Sequence, residues 1–214
     1  MFKRAFVSIK LGFSALIIYL TSLHTRKQSF NVRYEIARLW AMWYLRILKV
    51  KIKIHHKNHV PLKSGVAFII LNESSVDQEI ALSLFKHPTR HYLTQARKLF
   101  KISKAWQKRL ESTINPAPLA LQHFENSEDF VIFCDSYDGI NDHLMAQLIR
   151  YQYPMVLLSV DNARRVVDDQ PLPRVVVDVY FHIPIVYEEY EGLSIKQIKL
   201  MLLERKEGNI YEYD

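Results

Sequence analysis

Cysteine and glycine are scarce in this 214-residue sequence, and each shortage excludes a class of protein. The single cysteine, Cys134, excludes an intrachain disulfide framework and a zinc site built on cysteines, and it fits a reducing compartment. The five glycines lie too far apart for a G-x-G-x-x-G or Walker loop, which excludes a glycine-cradled nucleotide site. With 49% hydrophobic residues, a chain of this length is not disordered or fibrous.

Acidic residues are scarce in the first half of the chain. Residues 1–112 carry 21 Lys and Arg against 5 Asp and Glu, a net charge of +16, whereas residues 113–214 carry 8 against 17, a net charge of −9. A basic half suits either nucleic acid or an anionic membrane. The basic half also contains apolar and aromatic helical segments, so the membrane is the favoured partner and no nucleic acid is expected.

The first 48 residues predict membrane association. Ala5–Leu23 is apolar except for Lys10, and a bilayer span, an interfacial helix and a cleaved signal peptide all remain open. The next segment, 31–48, fits either a membrane-lying helix or a helix packed on a core. Its apolar face consists of Val32, Ile36, Leu39, Trp40, Trp43 and Ile47. We therefore expect residues 1–48 to bind membrane lipids and residues 49–214 to form the folded domain.

Strand and helix patterns alternate from residue 50 onward. Predicted strands cover 50–55, 66–71, 91–94, 119–122, 130–133, 155–160 and 174–183. Predicted helices cover 78–85, 97–112, 142–151 and 194–207. Such alternation predicts an α/β domain with a mostly parallel central sheet flanked by helices.

The histidines give little sign of a metal or hydrolase site. His55, His56 and His59 stand among lysines without a nearby carboxylate or thiol, so they are predicted to be solvated and no metal is expected. His123 and Glu128 lie five residues apart in a polar stretch, which is weak support for an acid–base pair. A G-x-S-x-G nucleophile elbow is absent from the sequence.

The end of the buried strand at 66–71 is the most informative place. Polar residues follow it directly and lead into a helix, the position at which open α/β sheets bind ligands. Asp77, Ser74 or Ser75 could instead cap that helix.

A series of short motifs, in order along the chain, resembles the 1-acylglycerol-3-phosphate acyltransferase family. Leu71–Asp77 is similar to the family's N-H-x-S-x-x-D, and Leu99–Ser103 to its L-F-K-I-P. Phe130–Ser136 resembles the strand that ends in F-P-E-G, Tyr153–Val160 the P-I-V-P-V block, and Val175–Ile185 the last strand, ending in P-I. The resemblance implies the family's fold and acyl transfer to a lysophospholipid-like hydroxyl, with acyl-CoA or acyl-carrier protein as donor and no separate cofactor.

The resemblance also implies catalytic roles at two positions. In the family, the motif's histidine removes the proton of the acceptor hydroxyl, and the aspartate, here Asp77, orients that histidine. Asn72 stands at the histidine position. Because an amide has no basic nitrogen at neutral pH, Asn72 cannot accept the proton. Loss of a general base typically lowers a rate by about 10²–10⁴.

Four further residues are implied as substrate-binding: Ser74, Lys101, Asp135 and Ser136. Two functions follow. Either the chain is an acyltransferase that is slowed or uses another base, for which His123 is a candidate, or it is a non-catalytic relative that binds lipid or a partner protein. We expect the site residues after the two strands to converge at one edge of the sheet, facing the cytoplasm.

Overall fold

A computed structural model describes residues 12–13, 16–18, 20–21, 23–71, 74, 76–94, 110–114, 121–168 and 174–208. Seven strands in these ranges form one sheet: β1 Lys51–His55, β2 Ala67–Leu71, β3 Thr89–Leu93, β4 Thr113–Ile114, β5 Asp129–Cys134, β6 Met155–Asp161 and β7 Val176–Phe181. The helices are α1 Phe30–Ile47, α2 Asp77–Leu84, α3 Leu121–Glu125, α4 Asp142–Arg150, α5 Arg165–Asp168, α6 Tyr187–Tyr190 and α7 Ile195–Gly208. Single 3-10 turns occur at Thr25–Lys27, Lys57–His59 and Tyr137–Gly139.

The strand order is β1-β7-β6-β2-β5-β3-β4, and every neighbouring pair is parallel except β6 and β7. The prediction of a mostly parallel sheet flanked by helices is confirmed. Leu71 pairs with Cys134, and Ile70 pairs with Leu158. The carboxyl ends of β2, β3, β5 and β6 therefore meet at one edge, which we call the carboxyl edge.

The central strands are buried on both faces because their apolar runs are continuous. On one face, Phe68 and Ile70 of β2 pack in a core with Ile80 of α2 and Leu45 of α1. On the other face, Ile69 belongs to a core shared with α3, α4 and α7. Alternating side chains of β2 thus pack against two different helical layers, as expected for a parallel strand covered on both sides.

The amino-terminal starts of β2 and β5 are joined by a carboxylate. Asp129 Oδ1 accepts hydrogen bonds from the backbone N–H groups of Gly65 (2.8 Å) and Val66 (2.9 Å). Gly65 has φ +84°, a conformation that other residues rarely adopt. This junction fixes the register of the two strands whose far ends form the carboxyl edge.

Helix α1 packs on α2, but the face of α1 that makes this contact is not its most apolar face. Tyr34, Ala37, Ala41 and Tyr44 are buried. Leu39, from the apolar face noted in the sequence, is 54% exposed. The small buried residues let α1 approach α2 closely, so the apolar and aromatic face points away from the sheet.

One predicted strand differs from the described structure. The strand predicted over 119–122 is wrong, because Leu121 and Gln122 begin helix α3. A short apolar run such as Leu119–Leu121 does not distinguish a buried helix from a strand. Most of the helix predicted over 97–112 lies outside the described residues. Within the described ranges, no helix has both the length and the apolar character needed to cross a bilayer.

Candidate functional site

The carboxyl edge brings together the segments that follow β2 and β5. Because Leu71 and Cys134 are paired, β2 and β5 end side by side at this edge, and adjacent strands lie about 4.8 Å apart. The structure therefore places Asp77 and Asp135 at the same edge. Asn72 and Lys101 lie outside the described residues, so the position of each remains a prediction.

Asp77 is the first residue of α2 and is 1% exposed. Its Oδ2 accepts a hydrogen bond from the backbone N–H of Ser74 at 2.7 Å. The carboxylate thus bonds back to the turn that precedes the helix, where Val76 is the N-cap residue and its side chain makes no capping hydrogen bond. Asp77 is held in one orientation at the carboxyl edge, as an orienting carboxylate must be.

Ser74 is buried and ties the same turn to the loop after β6. Its hydroxyl donates to the backbone carbonyl of Ala163 at 3.2 Å and accepts from the backbone N–H of Val76 at 3.3 Å. These bonds give Ser74 a clear structural role in the connection between β2 and α2, beside the substrate-binding role predicted for it.

Asp135 and Ser136 follow β5 and are exposed. The Ser136 hydroxyl accepts from the backbone N–H of Gly139 at 3.3 Å and so caps the 3-10 turn that begins at Tyr137. Cys134, one residue earlier, is buried, and burial together with the nearby Asp135 carboxylate raises the pKa of its thiol to about 12. The carboxylate of Asp135 is therefore the polar group that β5 offers to a ligand at this edge, and Cys134 is not a nucleophile.

Glu79 is a carboxyl group that the sequence patterns did not single out. It lies in the first turn of α2, and its Oε2 is closed to solvent and has no hydrogen-bond partner among the described residues. Burial, with a smaller contribution from Asp77, raises the pKa of Glu79 to about 7. Burial and then the Glu79 charge raise the pKa of Tyr44 on α1, which indicates that Glu79 faces α1. Glu79 follows two other polar residues, Asp77 and Gln78, so no sequence pattern marks it as enclosed.

His123 lies too far away to replace the missing base. It is in α3, and its Nδ1 is 3.3 Å from Glu128 Oε2. Glu128 precedes β5 and Asp135 follows it, so the six residues of that strand separate them by about 20 Å. The use of His123 as an alternative base at Asp77 is therefore a wrong expectation: His123 sits at the opposite edge, where Glu128 also binds Arg90.

A serine–histidine pair, Ser159 and His182, lies nearer the carboxyl edge. Ser159 Oγ and His182 Nε2 are 2.7 Å apart, and burial, followed by nearby Lys206 and other histidines, lowers the pKa of His182 to about 4. Ser159 alternates with Leu158 and Val160, which pack on the α2 side of the sheet. The pair therefore lies on the opposite face from α2, and its weakly basic imidazole does not face Asp77.

Comparisons with known proteins support the fold. No model of a known protein family matches the chain, and no significantly similar sequence is found among curated proteins. By structure, the chain is similar to the crystal structure of the 1-acyl-sn-glycerophosphate (LPA) acyltransferase PlsC from Thermotoga maritima, with a TM-score of 0.63 and 13% sequence identity. The match covers 97% of this chain and 98% of that one. The acyltransferase-like α/β fold expected from the short motifs is thus confirmed.

Proposed function

We propose that this protein is a membrane-associated acyltransferase that moves an acyl group from acyl-CoA or acyl-carrier protein to a hydroxyl of a lysophospholipid-like acceptor. The observation that carries the proposal is the position of Asp77. It is buried, fixed in orientation, and placed at the carboxyl edge of a sheet whose whole fold is similar to that of an LPA acyltransferase. The acceptor and thioester would meet at this edge, between the ends of β2 and β5.

The reaction proposed here is slow because the chain lacks a base at the motif. The acceptor oxygen attacks the thioester carbonyl, the C–O bond forms, the C–S bond breaks, and the acceptor proton must leave. Asn72 can hold the hydroxyl by a hydrogen bond, but it cannot take the proton. The proton passes to solvent or to the departing thiolate. The reaction therefore lacks the roughly 10²–10⁴-fold acceleration that a positioned base provides.

Membrane attachment by residues 1–48 is part of the proposal. The outward face of α1 supports it, because Val32, Leu39 and Met42 are each more than two-fifths exposed. Trp40 and Trp43 pack edge to face beside them, with ring centroids 5.3 Å apart. Indoles and aliphatic side chains on one face of a helix are typical of an interfacial segment. We propose that the carboxyl edge faces the cytoplasm, where acyl thioesters are available.

A second function, non-catalytic lipid or partner binding, is favoured by the contacts of Asp77. The carboxylate is bonded to its own turn, and His123 is on the far edge of the sheet. A relative that had lost catalysis could keep both features and still bind lipid.

Acyl transfer by the Asn72→His variant separates the two functions. If the crevice binds a thioester and an acceptor and lacks only the base, the new His–Asp pair raises transfer to a panel of lysophospholipids at least tenfold, within the roughly 10²–10⁴ range of general-base catalysis. The gain should vanish when Asp77→Ala is added. Asn126→His, which puts an imidazole on an exposed turn at the opposite edge, is the matched control.

Two results would contradict the proposal. Transfer by the natural protein that is unchanged in Asp77→Ala would place the active site elsewhere. No transfer by either the natural protein or Asn72→His, together with intact lipid binding, would establish the non-catalytic function.

A further inference from the structure

A groove of about 530 Å³ lies between the carboxyl-terminal half of α1, the end of α2 and strand β1. Its floor is apolar and is formed by Met42, Leu45, Ile52, Ile54 and Leu84. Met42 is 42% exposed and Ile54 is 44% exposed, so this surface is open to solvent. The volume falls within the roughly 300–1,000 Å³ range of small-ligand pockets.

Four cationic side chains line the same groove. Arg46, Lys49, Lys51 and Arg174 line the groove and are exposed, and no acidic residue is among the described residues that line it. Within the described ranges, none of the four forms an ion pair, whereas Arg90 pairs with two glutamates. Their charge is therefore available to a ligand.

The path of the chain concentrates these cations. Helix α1 ends in a tight turn in which the Val50 N–H bonds to the Leu45 carbonyl and Lys49 has a left-handed φ of 57°. Lys51 then pairs in register with Val176 of β7, just after Arg174. Three chain segments thus deliver positive charge to one end of an apolar channel. The complementary ligand has an anionic head and an apolar tail.

We propose that this groove binds one anionic phospholipid of the bilayer. Its phosphate lies among Arg46, Lys49 and Arg174, and an acyl chain lies along the floor formed by α1 and β1. The groove adjoins the exposed face of α1 that carries Leu39 and Met42, so a lipid can reach it sideways from the membrane. β1 is three strands away from β2, or about 14 Å, which separates this site from the crevice at Asp77.

This proposal goes beyond acyl transfer and does not rest on it. A bound anionic lipid would fix how the protein sits on the membrane whether or not the crevice is catalytic. The test therefore measures binding and not turnover.

Binding of dihexanoyl-phosphatidylglycerol to the full-length protein tests the proposal, with glycerol phosphate as the head-group probe. The double variant Arg46→Gln/Lys49→Gln should bind the lipid roughly 20- to 30-fold more weakly, because each cation near a lipid phosphate contributes about fivefold in affinity. The matched control is Lys57→Gln/Lys63→Gln, which removes the same charge from exposed positions outside the groove. The control should change affinity by less than twofold.

A second variant tests the apolar channel without changing charge. Ser83 lines the groove and is half-buried, so Ser83→Phe fills the channel from the surface of α2. We expect it to weaken binding of the short-chain lipid at least fivefold.

Three results would overturn the proposal. Equal losses in the two charge variants would mean diffuse attraction to a basic surface. Unchanged lipid affinity in Ser83→Phe would mean that no acyl chain enters the groove. Glycerol phosphate that binds as tightly as the lipid would make this a site for free phosphate.

Discussion

The buried imidazole of His91 should make the fold sensitive to mild acid. His91 lies in the middle of β3 and is 3% exposed. Its Nε2 is 3.3 Å from the Thr89 hydroxyl, and its ring packs edge to face against Tyr34 and Phe133. Burial lowers the pKa of His91 from 6.5 to about 4, because a protonated ring would lose its hydration there.

The sign and size of the effect follow from proton linkage. The unfolded chain binds a proton at His91 below about pH 6.5, whereas the folded chain does so only near pH 4, so stability is full above pH 6.5 and falls as the pH drops. Each pH unit in this window removes about 1.4 kcal/mol. Between about pH 7.5 and pH 5, His91 should therefore lower the free energy of unfolding by about 2 kcal/mol.

The His91→Phe variant isolates this contribution. Phenylalanine suits the aromatic surroundings but does not titrate, so the variant should lose about 2 kcal/mol less than the natural protein over the same pH interval. Urea unfolding followed by circular dichroism measures both values, and exposed His143→Phe is the control. A difference between variant and natural protein that is independent of pH would refute the reasoning, because it would mean that His91 is protonated in the fold without penalty.

Two further predictions concern Glu79 and the amino-terminal segment. The pKa of Glu79 is raised from 4.5 to about 7, so Glu79→Met should raise the free energy of unfolding by up to about 3 kcal/mol at about pH 8. The gain should disappear below about pH 4.5, where the natural side chain is neutral in both states, and a gain independent of pH would contradict this account. High salt should release little of the full-length protein from anionic vesicles, since apolar burial is not screened. Deletion of residues 1–30 leaves 16 Lys and Arg against 5 Asp and Glu in residues 31–112, a net charge of +11. The binding that remains should therefore be electrostatic and become salt-sensitive in a co-sedimentation assay with the same vesicles. Salt-resistant binding of the truncated protein would argue against this account.

The sequence predicts best those elements whose own residues form a clear hydrophobic pattern. β2 and β5 are continuous apolar runs, and both are found within one residue of the expected bounds. The antiparallel direction of β7 was not predicted, because a strand's own residues do not encode the direction of its neighbour. The short apolar stretch at the start of α3 was misread for a related reason: without its packing partners, it is compatible with either helix or strand.

In the candidate site, likewise, the features set by local sequence were predicted and those set by tertiary contacts were not. Polar residues after buried strands pointed to the edge where Asp77 and Asp135 lie. The pairing of Ser159 with His182 could not be predicted, because it depends on the register of β6 with β7, 23 residues apart along the chain. The perturbed Glu79 likewise reflects enclosure by α1, which a helical pattern alone does not reveal.

The strand order has a consequence for the way the protein emerges from the ribosome. β1 hydrogen-bonds only to β7 in the described sheet, and β7 is made roughly 120 residues later, which at about 5–20 residues per second is a delay of roughly 6–25 s. α1 and β1 are therefore synthesised well before the strand with which β1 pairs. The exposed Lys51 and Lys53 discourage this waiting edge from pairing with other chains. On the membrane attachment proposed above, α1 would meet the bilayer before the sheet is complete.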